Sequence, residues 1–139
     1  MKLILPYPVS SNRYWRSFVP RGHSRAIVCV SDEAKAYKTE VAWLAKAAGM
    51  RAPVRYAVTL GFVLVPANGV CMDLDNALKV TIDALKGVAY FDDSQVRKII
   101  AERASPDGRA RLEVQVEQYE PAAAPLFREA GDVEAQQAA

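Results

Sequence analysis

Residues 54–86 read VRYAVTLGFVLVPANGVCMDLDNALKVTIDALK and are the most informative segment for the class of fold. Its first part, residues 54–65, is rich in β-branched and aromatic residues and ends at Pro66, which predicts a strand. A loop follows over residues 67–72. Leucine and isoleucine then recur at spacings of three and four across residues 75–86, which predicts an amphipathic helix. A strand that leads into a helix in this way is typical of a mixed α/β domain.

The segments on the N-terminal side supply a first helix and two short strands. Residues 2–9 and 26–30 predict strands, and two prolines break the end of the first one. Ser31 is a suitable N-cap for a helix that Gly49 closes. The apolar face of this first helix is predicted to consist of Ala34, Tyr37, Val41, Leu44 and Ala48. That of the second helix consists of Leu74, Leu78, Ile82 and Leu85.

Two further strands complete the predicted domain. They cover residues 95–104 and 110–119, and the turn SPDG between them predicts an antiparallel hairpin. The order is then roughly β-β-α-β-α-β-β, an α/β (α+β mixed) fold: a single small domain with one mixed sheet and two helices. We assign residues 1–119 to this domain and interpret residues 120–139, rich in alanine and acids, as a flexible tail.

Length and charge limit the classes of protein that the chain can represent. Its 139 residues suffice for one domain, and its net charge is +2. Residues 1–119 alone carry +5, which suits a polyanionic partner such as DNA. No apolar run could span a membrane, no secretion signal is visible, and two isolated cysteines with one histidine cannot form a structural zinc site. We expect a cytoplasmic protein without membrane contact or organic cofactor.

A local concentration of carboxylates is the main candidate for chemistry. Asp73 and Asp75 lie at the start of the second helix, Lys79 follows one turn later, and Asp93 comes after the helix has ended. Carboxylates of this kind can hold Mg²⁺, and the lysine can stabilise charge on a phosphate. Acidic residues also favour helix N-termini without any function, because they cap amides and complement the dipole. Spacing alone leaves both interpretations open.

A second candidate is a basic segment that also contains aromatic residues. Residues 10–25 read SSNRYWRSFVPRGHSR, with no acid among them. Arginines can neutralise phosphates and aromatic rings can stack on bases, which favours contact with DNA. The alternative is a solvated loop whose aromatic side chains pack on the domain. The single histidine, His23, lies in this segment, away from the carboxylates.

Two motifs together resemble the RusA family of Holliday junction resolvases. One is Asp73-Leu74-Asp75-Asn76 with Lys79, and the other is Phe91-Asp92-Asp93-Ser94-Gln95-Val96 after a single helix. The opening Pro8-Val9-Ser10-Ser11-Asn12-Arg13-Tyr14-Trp15-Arg16 is similar to the start of that family. The resemblance covers most of residues 3–119.

The resemblance implies an enzyme. Members are homodimeric endodeoxyribonucleases that resolve four-way DNA junctions in recombination and repair by symmetric paired cuts, with Mg²⁺ as cofactor and Mn²⁺ as a substitute. The catalytic residues it implies here are Asp73, Asp75, Lys79 and Asp93, of which Asp73, Asp75 and Asp93 would bind the metal. Because residues 66–72 lack the basic run expected before the motif, DNA binding is assigned to Arg13, Arg16, Arg21, Arg25 and Lys86, with Arg97 and Lys98 as possible helpers. The resemblance also fits a bacterial or phage-infected cell.

Two alternatives of other kinds stay open on the sequence. The missing basic run is compatible with a branched-DNA binding module in which catalysis is weak or lost. A nuclease for flaps or another branched DNA is a further possibility. Cleavage of a panel of DNA substrates would separate the three.

Overall fold

The computed structural model describes residues 1–122, and the predicted tail lies almost wholly outside this range. The strands and helices, in chain order, are β1 (Lys2–Leu5), β2 (Trp15–Phe18), β3 (Ile27–Val30), α1 (Asp32–Ala47), β4 (Val58–Val65), α2 (Leu74–Leu85), β5 (Val96–Arg103) and β6 (Arg111–Gln118). Two short 3-10 turns, Ser11–Arg13 and Asp93–Gln95, precede β2 and β5. No helix in residues 1–122 is long and apolar enough to cross a membrane.

Four of the strands form a mixed sheet in the order β1-β6-β4-β5. β4 runs parallel to β5 and antiparallel to β6, and β1 is antiparallel to β6. β2 and β3 form a separate two-stranded antiparallel sheet. The predicted mixed α/β class with two helices is therefore confirmed. The detail differs in two ways: residues 15–18, for which no strand was predicted, fold as β2, and β2 and β3 form a second sheet where one sheet was predicted.

The hairpin predicted from the SPDG turn is wrong, although both of its strands exist. β4 lies between β5 and β6 and hydrogen-bonds to both. The reason is burial: β4 is the most apolar strand, and its central position encloses it on both edges. The connecting segment crosses over the end of β4, where Ala104 N–H donates to the Leu64 carbonyl (2.9 Å) and Gly108 N–H donates to that of Ala67 (3.0 Å).

The helices begin close to the predicted positions but bury somewhat different faces. Ser31 caps α1, accepting a hydrogen bond from Ala34 N–H at 3.2 Å, and Gly49 takes a positive φ of 97° after the helix. In α2 only Leu85 of the four predicted face residues is fully buried, and the other three are partly buried against the core. The fully buried residues of α2 are Ala77, Val80, Thr81, Ala84 and Leu85. Small residues let this helix approach the sheet closely, which turns the larger side chains toward the margin of the contact.

Candidate active site

The N-terminus of α2 presents two carboxylates to solvent. Asp73 occupies the N-cap position with an extended backbone, yet its side chain makes no capping hydrogen bond. Asp75 lies in the first turn, and both residues are exposed. Because a capping aspartate normally accepts from the N2 or N3 amide, the purely structural interpretation does not account for Asp73. In residues 1–122, no salt bridge engages either carboxylate.

Lys79 completes this end of the helix. It lies four residues after Asp75, so the two side chains share one face of α2. Its side chain is exposed and forms no salt bridge within the described part of the chain. The helix N-terminus adds partial positive charge from its free amides, which favours an anion such as a phosphate. The arrangement can therefore bind a cation through oxygen and an anion through nitrogen side by side.

The N-terminal segment supports the start of α2 through two contacts that join distant parts of the sequence. The Ser11 hydroxyl donates to the Asn76 amide oxygen. The Tyr7 hydroxyl accepts from Met72 N–H at 3.1 Å and donates to Cys71 Sγ at 3.3 Å. Burial, and secondly the Cys71 hydrogen bond, raise the pKa of the Tyr7 hydroxyl, which stays protonated as a donor. The opening motif and the Asp73–Asn76 motif are thus neighbours in space.

Tyr7 is a supporting residue that sequence reasoning missed. Its only signal was its place between two prolines in a predicted strand, where an aromatic residue is ordinary. Its two hydrogen bonds hold the residues immediately before Asp73, so they fix the direction from which the chain enters the helix. This role depends on a contact between residues 7 and 72, which no local pattern reveals.

Asp92 and Asp93 lie at the other end of α2 and are held by structural contacts. The Lys86 Nζ is 3.9 Å from an Asp92 carboxylate oxygen and 3.6 Å from one of Asp93. The Asp92 carboxylate accepts from Ser94 N–H at 3.0 Å, and this hydrogen bond is the main cause that lowers the pKa of Asp92 to about 2. Lys86, assigned to DNA from the sequence, has these two carboxylates as its partners.

Gln95 holds the same turn through four hydrogen bonds. Its amide oxygen accepts from the N–H groups of Phe91 (2.8 Å) and Asp92 (2.9 Å). Its amide nitrogen donates to the carbonyls of Val54 and Tyr56, both at 2.9 Å. Together with the Asp92 cap this forms a capping box. The resemblance included Gln95 in a motif, but no local pattern indicates that Gln95 binds the turn to the segment just before β4.

The topology keeps Asp93 away from Asp73 and Asp75 within one chain. Residues 66–73 leave the C-terminal end of β4, α2 then runs back along the sheet, and Asp93 precedes the N-terminal end of β5. At about 1.5 Å per residue, Asp75 and Lys86 are separated by roughly 16 Å along the helix axis. Among residues 1–122, no group of three His, Cys, Asp or Glu side chains is arranged to hold one metal ion.

The donors at the start of α2 nevertheless suit Mg²⁺. This ion usually takes one or two carboxylates and completes its shell with water and substrate phosphates. Asp73 and Asp75 supply two carboxylates that no described protein group occupies. The predicted three-carboxylate set is therefore represented by a pair at one end of the sheet and a separated Asp93 at the other.

β2 and β3 form an exposed two-stranded arm that carries the basic segment. All four residues of β2 are exposed, and the arm turns at Gly22, with a φ of 83°. Arg16 lies 3.4 Å from Asp32 and 5.7 Å from the centre of the Phe18 ring, and Arg13 lies 3.3 Å from Glu33. These ion pairs are solvent-exposed and therefore weak. The predicted DNA-binding arginines Arg21 and Arg25 lie at the exposed turn, as does His23.

The fold and the two motifs together identify the protein family of this chain. The family profile described as "Endodeoxyribonuclease RusA" matches residues 6–117, most of the chain. The chain belongs to the RusA family.

Curated relatives agree with this assignment. A protein named "Crossover junction endodeoxyribonuclease RusA" from Escherichia coli (strain K12) is 31% identical over 115 residues, which cover 81% of this chain and 91% of the relative. A protein of the same name from Enterobacteria phage 82 is 30% identical over the same shares. A third, from Shigella sonnei (strain Ss046), is also 30% identical over 115 residues.

Proposed function

We propose that the chain is a Mg²⁺-dependent, structure-specific endodeoxyribonuclease that resolves four-way DNA junctions by paired symmetric cuts, in recombination and repair. The observation that carries this proposal is the exposed set of Asp73, Asp75 and Lys79 at the start of α2, in a chain of the RusA family. Helix capping does not explain the Asp73 carboxylate, because it accepts no capping hydrogen bond. A site for a metal and a phosphate explains all three side chains.

Each of these side chains has a distinct role in the proposal. Asp73 and Asp75 would hold the metal, and Mn²⁺ would substitute for Mg²⁺. When bound, such an ion lowers the pKa of a water molecule and neutralises charge on the scissile phosphate. Lys79 orients the phosphate and stabilises the charge that develops on it. The Tyr7 and Ser11 hydrogen bonds keep the two carboxylates in place, so that little reorganisation is needed when DNA binds.

Asp93 enters the proposal through a homodimer. One chain places Asp93 and the Asp73–Asp75 pair at opposite ends of its sheet. Two copies related by a two-fold axis can bring the Asp93 end of one against the Asp73 end of the other, twice. The same symmetry matches a four-way junction, in which two opposed strands are cut. The metal site would then be complete only in the dimer.

DNA binding is assigned chiefly to the arm. Arg21 and Arg25 lie at its exposed turn, while Arg13 and Arg16 make only exposed ion pairs that phosphates can replace at small cost. Lys86 is the weaker candidate, because Asp92 and Asp93 already neutralise it. The arm begins directly after the 3-10 turn whose Ser11 contacts Asn76, so the base of the arm lies beside the start of α2.

The second candidate is a branched-DNA binding module without effective catalysis. One observation favours it: residues 66–72, which lead into Asp73, carry no charge at all. A nuclease for flaps or other branched DNA is the third possibility. Both predict binding to branched DNA, and they differ from the main proposal in which substrate is cut, if any.

Cleavage of labelled DNA tests the proposal directly. Incubation of a four-way junction, a flap and a linear duplex with the protein, in Mg²⁺ or in EDTA, should give symmetric paired cuts in the junction only, and only with Mg²⁺. Asp75→Asn should abolish cutting while junction binding in a gel-shift assay stays nearly intact. Asp107→Asn, an exposed aspartate in the β5–β6 connection, is the matched control and should cut normally.

The other outcomes are equally clear. Preferred cutting of the flap would assign the third candidate. Junction binding that Mg²⁺ does not alter, with no cutting of any substrate by folded wild-type protein, would assign the binding module. Equal cutting by Asp75→Asn would remove the metal role from this residue.

A further inference from the structure

The arm formed by β2 and β3 exposes a contiguous set of large apolar side chains. Phe18 is 41% exposed and lies directly opposite Ile27, which is 47% exposed, in the last paired position before the loop. Opposed residues of an antiparallel pair share one face, so these two side chains form an apolar ridge near the end of the ribbon. The exposed apolar residues of the arm are Trp15, Phe18, Val19, Ile27 and Val28. Contiguous apolar surface of this kind marks an interaction site.

Every charged side chain along the arm is positive. Residues 10–31 contain four arginines and no acid. Arg16 lies on the same face as Phe18, with its guanidinium 5.7 Å from the centre of the ring, and Arg21 and Arg25 lie in the exposed loop beyond the ridge. DNA presents phosphates on its outside and apolar base faces between its backbones. An apolar ridge with arginines on both sides of it complements that arrangement.

We propose that the ridge of Phe18 and Ile27 is a wedge that enters between neighbouring base pairs at a DNA branch point and holds them unstacked. This inference rests on the proposed function in that the DNA is the same four-way junction. A two-stranded ribbon fits the major groove of DNA, and inserted apolar side chains separate base steps in other complexes. Bases at a branch point lack a continuous stack, so opening costs less there than within a duplex.

The base of the arm is fixed to the domain, which gives the wedge a firm support. Tyr14, directly before β2, is buried in the core, and its carbonyl accepts from Ser31 N–H at 2.8 Å. The Ser31 hydroxyl donates to the Arg13 carbonyl, also at 2.8 Å. Four strand residues then span roughly 13 Å from this base to the ridge. The base itself adjoins the start of α2 through the contact of Ser11 with Asn76.

Two protein segments compete with DNA as the occupant of the ridge. A second copy of the arm is disfavoured, because it sets four arginines against four more. Residues 120–139 are the stronger rival, since they contain Leu126 and Phe127 and carry four acids against one base. That net charge of −3 over twenty residues is sparse beside duplex DNA, which carries one negative charge for about every 1.7 Å of its axis. The charge of the arm therefore favours DNA.

Fluorescence of 2-aminopurine tests the wedge, because this base analogue brightens when it loses its stacking neighbours. A four-way junction carries the probe at the branch point or, in a second preparation, about ten base pairs away, one helical turn along a duplex. Full-length Asp75→Asn protein is added to saturation, as checked by gel shift, so that the junction is bound without being cut. We expect a rise of at least about twofold at the branch point and none at the distant probe.

Variants of the arm in the same Asp75→Asn background assign the effect to the ridge. Phe18→Ala should remove at least about half of the rise, whereas Phe18→Tyr should retain it, since the ring remains available for stacking. Val28→Ala is the matched control. It removes exposed apolar surface from the same ribbon but from the opposite face, and it should leave the rise unchanged. Circular dichroism confirms that each variant is folded.

Three results at saturation would overturn the inference: no rise at the branch point, equal losses in Phe18→Ala and Val28→Ala, or a loss in Phe18→Tyr as large as that in Phe18→Ala. A protein occupant has its own signature, which would also overturn it. Phe18→Ala would then lower the Tm or change the sedimentation of the DNA-free protein and leave the rise intact.

Cleavage by protein that retains Asp75 is scored separately from base opening. A junction that is opened but not cut contradicts the proposed activity alone. A junction that is cut without any opening at the branch point contradicts the wedge alone. Failure to bind the junction contradicts both.

Discussion

Both ends of the central sheet carry a pair of aspartates, but only the pair just before β5 interacts with other side chains of the described chain. At the end where β4 leads into α2, Asp73 and Asp75 are exposed and have no salt bridge in the described part of the chain, and Asp73 leaves its capping position unused. At the end where β5 begins, Asp92 caps a turn, and Lys86 forms exposed ion pairs with both Asp92 and Asp93. Carboxylates without protein partners are available to a ligand, whereas those at the other end already contribute to the fold.

This difference separates two uses of the same side chain. An aspartate that accepts backbone hydrogen bonds has its charge stabilised by the chain itself, as the lowered pKa of Asp92 shows. An aspartate that the chain leaves solvated must obtain that stabilisation from water or from a bound cation. Asp93 is intermediate: it forms an ion pair with a half-exposed lysine, a contact that a stronger cation can replace.

The largest expected effect concerns whether the two ends act together. Asp75→Asn and Asp93→Asn should each be inactive alone, because each dimer has two incomplete sites. If the ends meet across a dimer, mixing the two variants forms heterodimers with one intact site, and roughly a quarter of wild-type sites should return. The measurement is nicking of a labelled junction after mixing and re-equilibration.

That experiment has a built-in control. If Asp93 serves the carboxylates of its own chain, the heterodimer has no intact site, and mixing restores nothing. Mixing Asp73→Asn with Asp75→Asn should also restore nothing in either case, since both changes affect the same half of a site. Recovery of cutting in this second mixture would show that Asp73 and Asp75 do not belong to the same half of a site.

The next effect is on stability and is expected at the end of the sheet where β5 begins. Gln95→Ala removes four hydrogen bonds and leaves the Val54 and Tyr56 carbonyls without their donor. We expect the free energy of unfolding to fall by about 2 kcal/mol, as measured by urea denaturation. Asn76→Ala, which removes one exposed-end contact with Ser11, should cost about 1 kcal/mol or less. A larger loss of stability in Asn76→Ala than in Gln95→Ala would contradict the structural role assigned to the turn before β5.

A smaller effect should show that the arm contacts DNA. Arg25→Ala on the arm should weaken junction binding severalfold and reduce the slope of log affinity against log salt by about 1, since one phosphate contact is lost. Arg51→Ala is a matched change, because this exposed arginine precedes the strand entering β4, at the Asp93 end. It should leave both affinity and slope unchanged. Fluorescence anisotropy over a salt series gives both quantities.

The smallest effect is a dependence of stability on acid. The pKa of Asp92 is lowered to about 2 in the folded protein, against about 3.9 in an unfolded chain. Its charge therefore stabilises the fold fully above about pH 5, and this contribution is lost as the pH falls toward 2. Asp92→Asn keeps a capping side chain but not the charge, so its stability should approach that of wild type at low pH. A constant difference between the two from pH 6 to pH 2 would show that the charge is unimportant.

Local patterns predicted most elements and failed where a partner is distant. The Ser31 cap and the helix over residues 74–85 follow from signals within one or two turns. The hairpin failed because a turn signal indicates that the chain reverses, not that the two strands adjoin. β4 has eight consecutive residues suited to a buried strand, and the gain from enclosing them outweighs the shorter route between β5 and β6.

The candidate site shows the same limit. The motif residues Asp73, Asp75 and Lys79 were identified from spacing and resemblance, and the structure leaves them exposed at one helix end. Tyr7 and Gln95 were not assigned any role, because each acts through hydrogen bonds to residues more than thirty positions away. The resemblance to the family grouped Asp93 with Asp73 and Asp75. A resemblance of this kind does not tell whether the three carboxylates lie together within one chain.

Signals within the sequence are enough to predict the mixed α/β class, the two helices, the RusA family and the candidate site residues. Periodicity and capping act over a few residues, and motifs are linear, so these features can be seen without coordinates. Three features are visible only in the folded chain: the strand order β1-β6-β4-β5, the buried face of α2, and the separation of Asp93 from Asp73 and Asp75. These depend on which apolar surfaces exclude water against each other, and that competition involves the whole chain at once.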